Sequence, residues 1–311
     1  MSFSRNTLAR RIAATLAAGS CAVLAFTGCG VSDSSATAAG ESQASAVLDE
    51  KAPLHDLLPQ KIKDKGVLTV ATQPDFEPAN FTPAGETGIQ GYNVDLMESM
   101  AKKLGIPIKW EKVPFDQILI GMQSGKFDAA IAGMTDRKQR QEQVDFIDYQ
   151  WAGTVFMVQK GNPRGITSAV DGACGLKIGD VKGSDAKRLV DMMAAACIAA
   201  GKTPTELISF PNSSDKNLAV TSGRIDAIFW PDMAVSVILR ETGDKLESLP
   251  VDFEDKVYLG MTFNKAQTDL RDAFLSALKA IHEDGTYDEV LKKWDVEVIN
   301  LDAPGINLAK K

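Results

Sequence analysis

Residues 124–146 contain the side chains whose types and spacing are best suited to binding a charged ligand. The apolar residues 129–132 predict a short strand buried on both faces, and we expect it to end at Gly133, where a ligand or backbone can come close. Thr135 then supplies a hydroxyl group, and Arg140 supplies a guanidinium that can hold a carboxylate through two parallel hydrogen bonds. Because open α/β sheets bind ligands at the carboxyl ends of their strands, this order predicts an anion site.

The same residues allow a second interpretation. Arg137, Lys138 and Arg140 lie within four residues of one another, and such a cluster commonly forms the solvated face of a helix. The spacing alone does not separate a solvated basic helix from an anion site.

The composition argues against several classes of function. The 311 residues are 44% hydrophobic and 24% charged, which indicates a globular chain of about two domains. A formal charge of -7 provides no basic patch for nucleic acid, so a small ligand is the expected partner. His55 and His282 lie far apart, with no Cys or Glu at ligand spacing. We therefore expect no metal site, no cofactor and no Ser-His-Asp hydrolase.

The N-terminus has the pattern of an export signal. Residues 1–28 carry three arginines, no acidic residue, and an apolar run at 12–26 that is too short for a convincing membrane span. The run ends in Phe-Thr-Gly-Cys, which resembles a bacterial lipoprotein box with Phe26 where leucine is preferred. The resemblance implies a diacylglycerol and acyl chains such as palmitate on Cys29, hence a lipid anchor in the cell membrane. A plain secretory signal with an incidental Cys29 is the alternative.

Residues 29–52 read as a flexible tether. They are rich in Ser, Ala, Gly, Thr and Gln, and they contain too few large apolar side chains to offset the entropy of ordering. Cleavage after residue 28 removes three of the 34 basic residues and none of the 41 acidic ones, which leaves a charge of about -10. We expect an acidic extracytoplasmic body, in the periplasm or on the outer face of the cytoplasmic membrane.

From residue 66 onward, strand patterns alternate with helix patterns, which predicts sheets that are mostly parallel and covered by helices on both sides. The predicted strands are residues 67–71, 108–110, 154–158, 177–181 and 226–230. The predicted helices are residues 93–104, 116–124, 185–200, 268–283 and 287–294. Two such blocks followed by terminal helices indicate two lobes with a cleft between them.

Cys174 and Cys197 remain in the body of the protein once Cys21 leaves with the signal and Cys29 carries lipid. An even pair in an exported protein is a disulfide candidate, and a loop of this length contributes ~3 kcal/mol in the chain-entropy model. Two reduced core cysteines are the alternative.

Several segments together resemble the periplasmic solute-binding proteins of ABC transporters for polar amino acids, family 3. The resemblance extends from residue 66 to about residue 296, and in one helix Asn93 stands where an acidic residue is usual. The segments are GVLTVATQPDF, GIQGYNVDLMESMAKKLG, SGKFDAAIAGMTDRKQRQEQVDF, DVKGSDAKRL, SGRIDAIFWPD and DGTYDEVLKKWDV.

The resemblance implies a role for individual residues. Arg140 would hold the α-carboxylate of an amino acid with help from Thr135, and the Gly133 carbonyl would accept from the α-ammonium. Ser184 and Asp185, which follow Gly183 at a helix start, would close over the same carboxylate. For Ser184 a plain helix N-cap is the alternative. Phe76 would stack on the ligand, with a core phenylalanine as the alternative.

Two positions depart from the family pattern. Pro231 stands where family members usually carry an aspartate that pairs with the α-ammonium, so we expect a one-residue shift to bring Asp232 into the cleft, because an unpaired buried ammonium is costly. Gln73 stands where receptors for basic amino acids tend to have a carboxylate, which favours a neutral polar or apolar amino acid. Trp151 and Trp230 are candidate pocket walls.

The implied fold is a two-lobed, type II periplasmic-binding-protein fold of the Venus flytrap kind, with mixed, mostly parallel sheets flanked by helices. We expect lobe 1 at residues 53–151 and 256–300, lobe 2 at residues 152–255, and a C-terminal tail at residues 301–311. The lobes would close around the ligand by a hinge, and the closed form would deliver it to an ABC permease. The alternatives are a dehydratase of the prephenate or arogenate type on the same fold and a solute-sensing lipoprotein.

Overall fold

The computed structural model describes residues 48–310. The predicted export signal, Cys29 and the tether up to residue 47 lie outside these residues. Within the described part, no helix combines the length and the apolar character needed to cross a membrane.

The described residues form thirteen strands and nine α-helices. The strands are β1 (Leu68–Thr72), β2 (Asp75–Phe76), β3 (Asn80–Phe81), β4 (Ile108–Lys112), β5 (Ala129–Thr135), β6 (Val144–Ala152), β7 (Thr154–Gln159), β8 (Lys177–Val181), β9 (Glu206–Phe210), β10 (Ala227–Pro231), β11 (Leu246–Pro250), β12 (Val257–Asn264) and β13 (Asn300–Ile306). The helices are α1 (Gln60–Lys65), α2 (Tyr92–Leu104), α3 (Phe115–Gln123), α4 (Lys138–Gln141), α5 (Ala186–Ala199), α6 (Ser213–Thr221), α7 (Val235–Thr242), α8 (Thr268–Glu283) and α9 (Thr286–Lys293).

Two sheets organise the chain into two lobes. The first lobe is built on a six-stranded sheet in the order β13-β6-β12-β5-β1-β4, and the second on a five-stranded sheet in the order β11-β7-β10-β8-β9. The chain passes from the first sheet to the second between β6 and β7, and it returns between β11 and β12. A two-lobed α/β fold, as predicted, is confirmed.

Strand direction refines the predicted architecture. Parallel pairing joins β4, β1 and β5 in the first sheet and β9, β8 and β10 in the second, while β6, β7, β11, β12 and β13 pair antiparallel. The sheets are therefore mixed and not mostly parallel. The antiparallel strands include β6, β7, β11 and β12, which lie on either side of the two crossings between the lobes. No helix separates the two strands at either crossing.

Helix α2 shows how local sequence sets an element in the first lobe. Its buried face includes Met97, Met100 and Leu104, spaced three and four residues apart as a helix packed on a sheet requires. The helix ends at Gly105, whose φ of 62° lies in the left-handed region and whose amide donates to two carbonyls of the last turn.

Both predicted ends of the globular body differ from the structure. At the start, residues 49–52 were assigned to the tether, but the Asp49 amide donates to the Gly105 carbonyl at 3.0 Å, so this piece packs on the end of α2. At the other end, residues 300–306 form β13 on the edge of the first sheet beside β6. The alternation of β13 was missed because Asp302, Pro304 and Gly305 interrupt its apolar pattern.

A disulfide joins Cys174 and Cys197, whose Cα atoms lie 5.5 Å apart. Cys174 precedes β8, and Cys197 lies in the last turn of α5, so the bond ties this helix to the loop at the start of the strand.

We expect the Cys174→Ser and Cys197→Ser double variant to lose about 3 kcal/mol of unfolding free energy, since the open loop gains conformational entropy in the unfolded chain. Urea denaturation followed by circular dichroism measures this loss. A reducing agent should lower the midpoint of the unsubstituted protein and leave that of the double variant unchanged. Equal midpoints for the two oxidised proteins would contradict the prediction.

Candidate functional site

A cavity lies between the two lobes at the carboxyl ends of central strands. Its volume is about 130 Å³, roughly ten times the ~10–15 Å³ that a cavity needs to hold one water molecule, which suits a small solute and not a polymer. The first lobe contributes residues of β5, of the segment after it and of the loop after β1. The second lobe contributes the turn from β8 to α5, the start of α6 and the end of β10.

Gly133 allows the cavity to form next to an aromatic side chain. The sequence predicted that the strand ends at this residue, but β5 continues to Thr135. Gly133 has a φ of 62°, and a Cβ atom there would lie 2.9 Å from Cε1 of Phe76. The absence of a side chain at this position therefore lets the Phe76 ring lie over β5.

Phe76 also meets the second lobe. Its ring centroid lies 5.3 Å from that of Trp230, which stands near the end of β10. Both rings line the cavity and both side chains are nearly fully buried. Aromatic pairs at this separation attract each other beyond the effect of area burial, so this contact helps to hold the lobes together.

Arg140 projects from the short helix α4 into the cavity and touches both lobes. Its Nη1 donates to the Thr135 carbonyl at 2.8 Å, and its Nη2 donates to the Gly183 carbonyl of the second lobe at 2.9 Å. Within the described residues no carboxylate lies within 4.0 Å of its guanidinium nitrogens. Burial lowers the pKa of the Arg140 guanidinium, an effect that the nearby Asp185 carboxylate opposes.

Arg137, in contrast, is fully engaged by carboxylates. Its Nη2 lies 2.9 Å from Asp185 Oδ2 and 2.6 Å from Glu254 Oε1, and Arg188 binds the same two carboxylates at 2.9 and 2.7 Å. Arg137 belongs to the first lobe, Asp185 and Arg188 lie at the start of α5, and Glu254 lies on the returning crossing. This four-residue network joins the lobes beside the cavity.

The turn before α5 uses most of its polar groups within the protein. The Ser184 amide donates to the Val181 carbonyl at 3.1 Å, and the Ser184 hydroxyl accepts from the Ala186 amide at 3.3 Å. Ser184 thus has the local hydrogen bond of a helix start and also lines the cavity. Asp185, which lines the cavity as well, directs its carboxylate to Arg137 and Arg188.

Gln73 and Asp75 form a polar pair on the loop after β1. The Gln73 amide nitrogen donates to Asp75 Oδ2 at 2.6 Å, and the Gln73 oxygen accepts from the Phe115 amide. Asp75 Oδ2 also accepts from the Ser213 amide at the start of α6 in the second lobe, at 2.7 Å. Both polar atoms of the Gln73 side chain are therefore used in positioning neighbouring groups.

A buried ion pair lies on the second-lobe side of the cavity. Lys216 of α6 donates to Asp180 Oδ1 and to the Phe229 carbonyl, both at 2.9 Å, and its Nζ lies 3.8 Å from the Trp230 ring centroid. The Lys216 side chain is only 4% exposed, so its pairing with Asp180 is needed to offset the loss of hydration.

Two predicted site residues lie outside the cavity lining. Asp232 follows β10 and packs against Gly153 where the chain crosses between the lobes; its Oδ1 is buried and has no hydrogen-bond partner among the described residues. The one-residue shift expected at the strand end does not bring this carboxylate into the cleft, because Pro231 itself occupies the cavity wall. Trp151 stacks on Tyr258, its neighbour across β6 and β12, with ring centroids 4.0 Å apart.

The remaining predicted ligand residues lie together around the cavity: Gln73, Phe76, Gly133, Thr135, Arg140, Ser184, Asp185 and Trp230. Asp75, Asp180 and Lys216 also line it and were missed. The only sequence signal that Asp75 lies at the cavity was its position next to Phe76, a predicted ligand residue. Lys216 lies in a polar helix whose pattern does not distinguish a buried lysine from a solvated one.

Two buried carboxylates support the segment that carries Thr135 and Arg140. Asp136 and Asp148 are buried behind it, and they accept hydrogen bonds from the amides of Ala309 and Leu308 at 3.0 and 2.8 Å. Burial raises the pKa of Asp148 to about 8, and the Asp136 carboxylate adds to this effect. The C-terminal residues thus lie against the base of the site.

Comparison with known proteins gives a consistent assignment. The family model of the bacterial extracellular solute-binding proteins, family 3, matches residues 68–297. The arginine-binding protein ArgT of Corynebacterium glutamicum is 28% identical over 265 residues, which cover 84% of this chain and 84% of that protein.

Two solved structures share the fold. An ancestral arginine-binding protein bound to arginine is 31% identical, with a TM-score of 0.67 over 74% of this chain and 98% of that chain. An ancestral arginine-binding protein bound to glutamine is also 31% identical, with a TM-score of 0.67 over 75% of this chain and 99% of that chain.

We expect the unfolding free energy to fall as the pH rises from about 5 to about 8, with a contribution from Asp148 of at most about 1.4 kcal/mol per pH unit. In this range the folded protein keeps Asp148 protonated, because its pKa is raised to about 8, while the unfolded chain has released the proton. The stabilisation is present at low pH and is lost as the pH passes the folded pKa.

Urea denaturation at several pH values, compared between the unsubstituted protein and Asp148→Asn, isolates this contribution. The variant should show the shallower decline, because an amide cannot titrate. Parallel curves for the two proteins would exclude Asp148 as the source.

Proposed function

Because the chain belongs to the family 3 bacterial extracellular solute-binding proteins, we propose that it binds an amino acid and delivers it to the permease of an ABC transporter. Arginine-binding relatives and a related structure with bound glutamine support an amino acid as the ligand class. The observation that carries the proposal is the state of Arg140.

Arg140 is a cation at the cavity wall, and no carboxylate of the described residues lies within 4.0 Å of its guanidinium nitrogens. Its two hydrogen bonds go to backbone carbonyls, at Thr135 and Gly183, which leaves guanidinium donors for a further acceptor. Loss of hydration makes an unpaired charge costly, and a ligand carboxylate relieves that cost through charge-assisted hydrogen bonds. The α-carboxylate common to all amino acids is the group we assign to this position.

Ligand closure of the two lobes is the second part of the proposal. Arg140 contacts Gly183 across the cleft, Lys182 pairs with Asp116 at 2.8 Å, and Arg240 pairs with Glu77 at 2.6 Å. Exposed pairs of this kind contribute only about 0–1 kcal/mol each, so they are too weak to keep the lobes shut alone. A ligand that touches both lobes supplies the missing free energy, because it binds the closed form better than the open one.

A neutral amino acid remains the preferred ligand. The carboxylate that receptors for basic amino acids tend to carry is Gln73 here, and Phe76, Phe115, Leu259 and Trp230 give the cavity an apolar wall. We further propose that Cys29 carries the lipid that anchors the protein outside the cytoplasm, near its permease.

Arg140→Ala should weaken amino-acid binding by about 30-fold or more, since loss of one partner of a buried charge pair costs at least about 2 kcal/mol. Isothermal titration calorimetry of the domain from residue 48 onward, against the twenty common amino acids, measures the affinity. Lys138→Ala is the matched control, because Lys138 lies on the same short helix but is exposed. It should bind like the unsubstituted protein.

The same titrations distinguish the alternatives. Binding without product formation supports the receptor, product formation from a prephenate-like acid would indicate a dehydratase, and no heat from any amino acid would contradict the proposal. Unchanged affinity of Arg140→Ala would remove this residue from the site.

We expect the radius of gyration in small-angle X-ray scattering to decrease when the amino acid with the highest affinity in that panel is added, because the lobes close on it. Arg140→Ala at the same amino-acid concentration provides the control, and its radius should not change. A radius that is independent of the amino acid in the unsubstituted protein would contradict closure.

A further inference from the structure

The charges that line the cavity occur in equal numbers of opposite sign. Among the described residues, three cationic and three acidic side chains contribute to the wall: Arg137, Arg140, Lys216, Asp75, Asp180 and Asp185. Which of these charges are already paired determines what charge a ligand must bring.

Four of the six charges are paired with each other. Arg137 lies 2.9 Å from Asp185, and Lys216 lies 2.9 Å from Asp180. Asp185 is held by Arg188 as well, which removes it further from any role toward a ligand. Arg140 and Asp75 remain, and neither has an ion-pair partner within 4.0 Å in the described part of the chain.

Asp75 is held in place by neutral donors only. Its Oδ2 accepts from the Gln73 amide at 2.6 Å and from the Ser213 amide at 2.7 Å. Its Oδ1 accepts no hydrogen bond from the described residues, and the side chain is half-buried at the cavity wall. Neutral donors orient a carboxylate but do not cancel its negative charge. The partial positive charge at the start of α6 offsets the charge of Asp75 only in part.

We propose that Asp75 binds the cationic group of the ligand, and that the ligand is an amino acid of zero net charge. The proposal rests on the function assigned above, in which Arg140 binds the carboxylate. Asp75 thereby supplies the counter-charge that is missing at Pro231 and that Asp232, outside the cavity, does not provide.

The other carboxylates near the cavity are less suited to this role. An ammonium approaching Asp180 is repelled by Lys216, whose Nζ lies 2.9 Å from Oδ1 of the same carboxylate. Asp185 already accepts from two arginines. Asp75 combines a place on the wall, a fixed orientation and an oxygen without a partner.

The charge match also defines the class of ligand. A neutral amino acid brings one carboxylate for Arg140 and one ammonium for Asp75. A basic amino acid brings a second cation and an acidic one a second anion, and no unpaired opposite charge on the described wall receives either. The affinity for glutamine should therefore exceed that for arginine and for glutamate by about tenfold or more.

A combined change of protein and ligand tests the proposal. The first probe is the neutral amino acid of highest affinity in the panel, and the second is the same molecule with hydrogen in place of the α-amino group; for glutamine this is glutaramate. In the unsubstituted protein, the amino acid should bind about ten- to a hundredfold more tightly than its des-amino form. In Asp75→Asn the two dissociation constants should become similar, because the ammonium has lost its partner.

Two further variants separate binding from closure of the lobes. Asp75→Glu keeps the charge and should restore part of the preference for the amino acid. Asn212→Ala removes the Asn212 side chain that caps α6 through the Asp215 amide at 2.8 Å, outside the cavity wall, and should leave the ratio of the two dissociation constants unchanged.

Several outcomes would overturn the inference. If Asp75→Asn weakens both probes by the same factor, Asp75 acts only as a contact between the lobes. If it alters neither, or if the unsubstituted protein does not distinguish the probes, the ammonium is not bound by Asp75. If a basic amino acid is the tightest ligand, the charge match is refuted. If the unsubstituted protein binds no amino acid of the panel, the proposed function itself is refuted.

Discussion

A guanidinium that enters a cavity without a carboxylate partner among residues 48–310 is the constraint on which the rest of the site depends. Within the same residues, Arg140 has two backbone carbonyls as acceptors, one from each lobe. The neighbouring Arg137 shows the usual solution for a cation in such surroundings, which is to pair with two carboxylates. The difference between these two arginines, three residues apart, is the reason why the proposed function assigns the solute carboxylate to Arg140 and a structural role to Arg137.

The contacts between the lobes also fall into two groups, those formed by the protein alone and those that a solute would add. The network of Arg137, Asp185, Arg188 and Glu254 joins the lobes through side chains of the protein itself, and so does the contact of Phe76 with Trp230. The exposed ion pairs between the lobes contribute little each, and the aromatic pair contributes about 0.5–1.5 kcal/mol. Under the proposed function, closure that depends on many weak contacts and one strong solute contact would respond to the solute.

Much of this fold could be predicted from the sequence, because apolar periodicity reports on buried faces directly. The helix at 268–283 and the strand at 177–181 were predicted with the bounds that the structure has. Strand β13 was missed because Asp302 and Pro304 hide its alternation, and it lies at a sheet edge where such residues are tolerated. The tether was drawn too long because the contact of Asp49 with Gly105 joins residues that are distant in sequence.

The candidate site was predictable where a local motif carries it and not where distant segments meet. Thr135 and Arg140 follow one strand, so their neighbourhood is set by the chain itself. Asp232 was expected in the cleft through a one-residue shift from the family's aspartate position, but Pro231 lines the wall and the Asp232 carboxylate lies against Gly153. Nothing local distinguishes Lys216 as buried, because its partner Asp180 lies on a different element.

The described C-terminal residues extend the same reasoning to the back of the site. Asp136 stands between Thr135 and Arg137, and its carboxylate accepts from the Gln141 side chain of α4 and from the Ala309 amide. The segment that carries Arg140 is therefore tied to the chain end through a buried acid. Because Asp148 lies beside Asp136 and prefers to be protonated there, two negative charges do not compete for this space at neutral pH. The segment that carries Arg140 is thus held from behind by the Asp136 carboxylate, while the neighbouring Asp148 remains neutral.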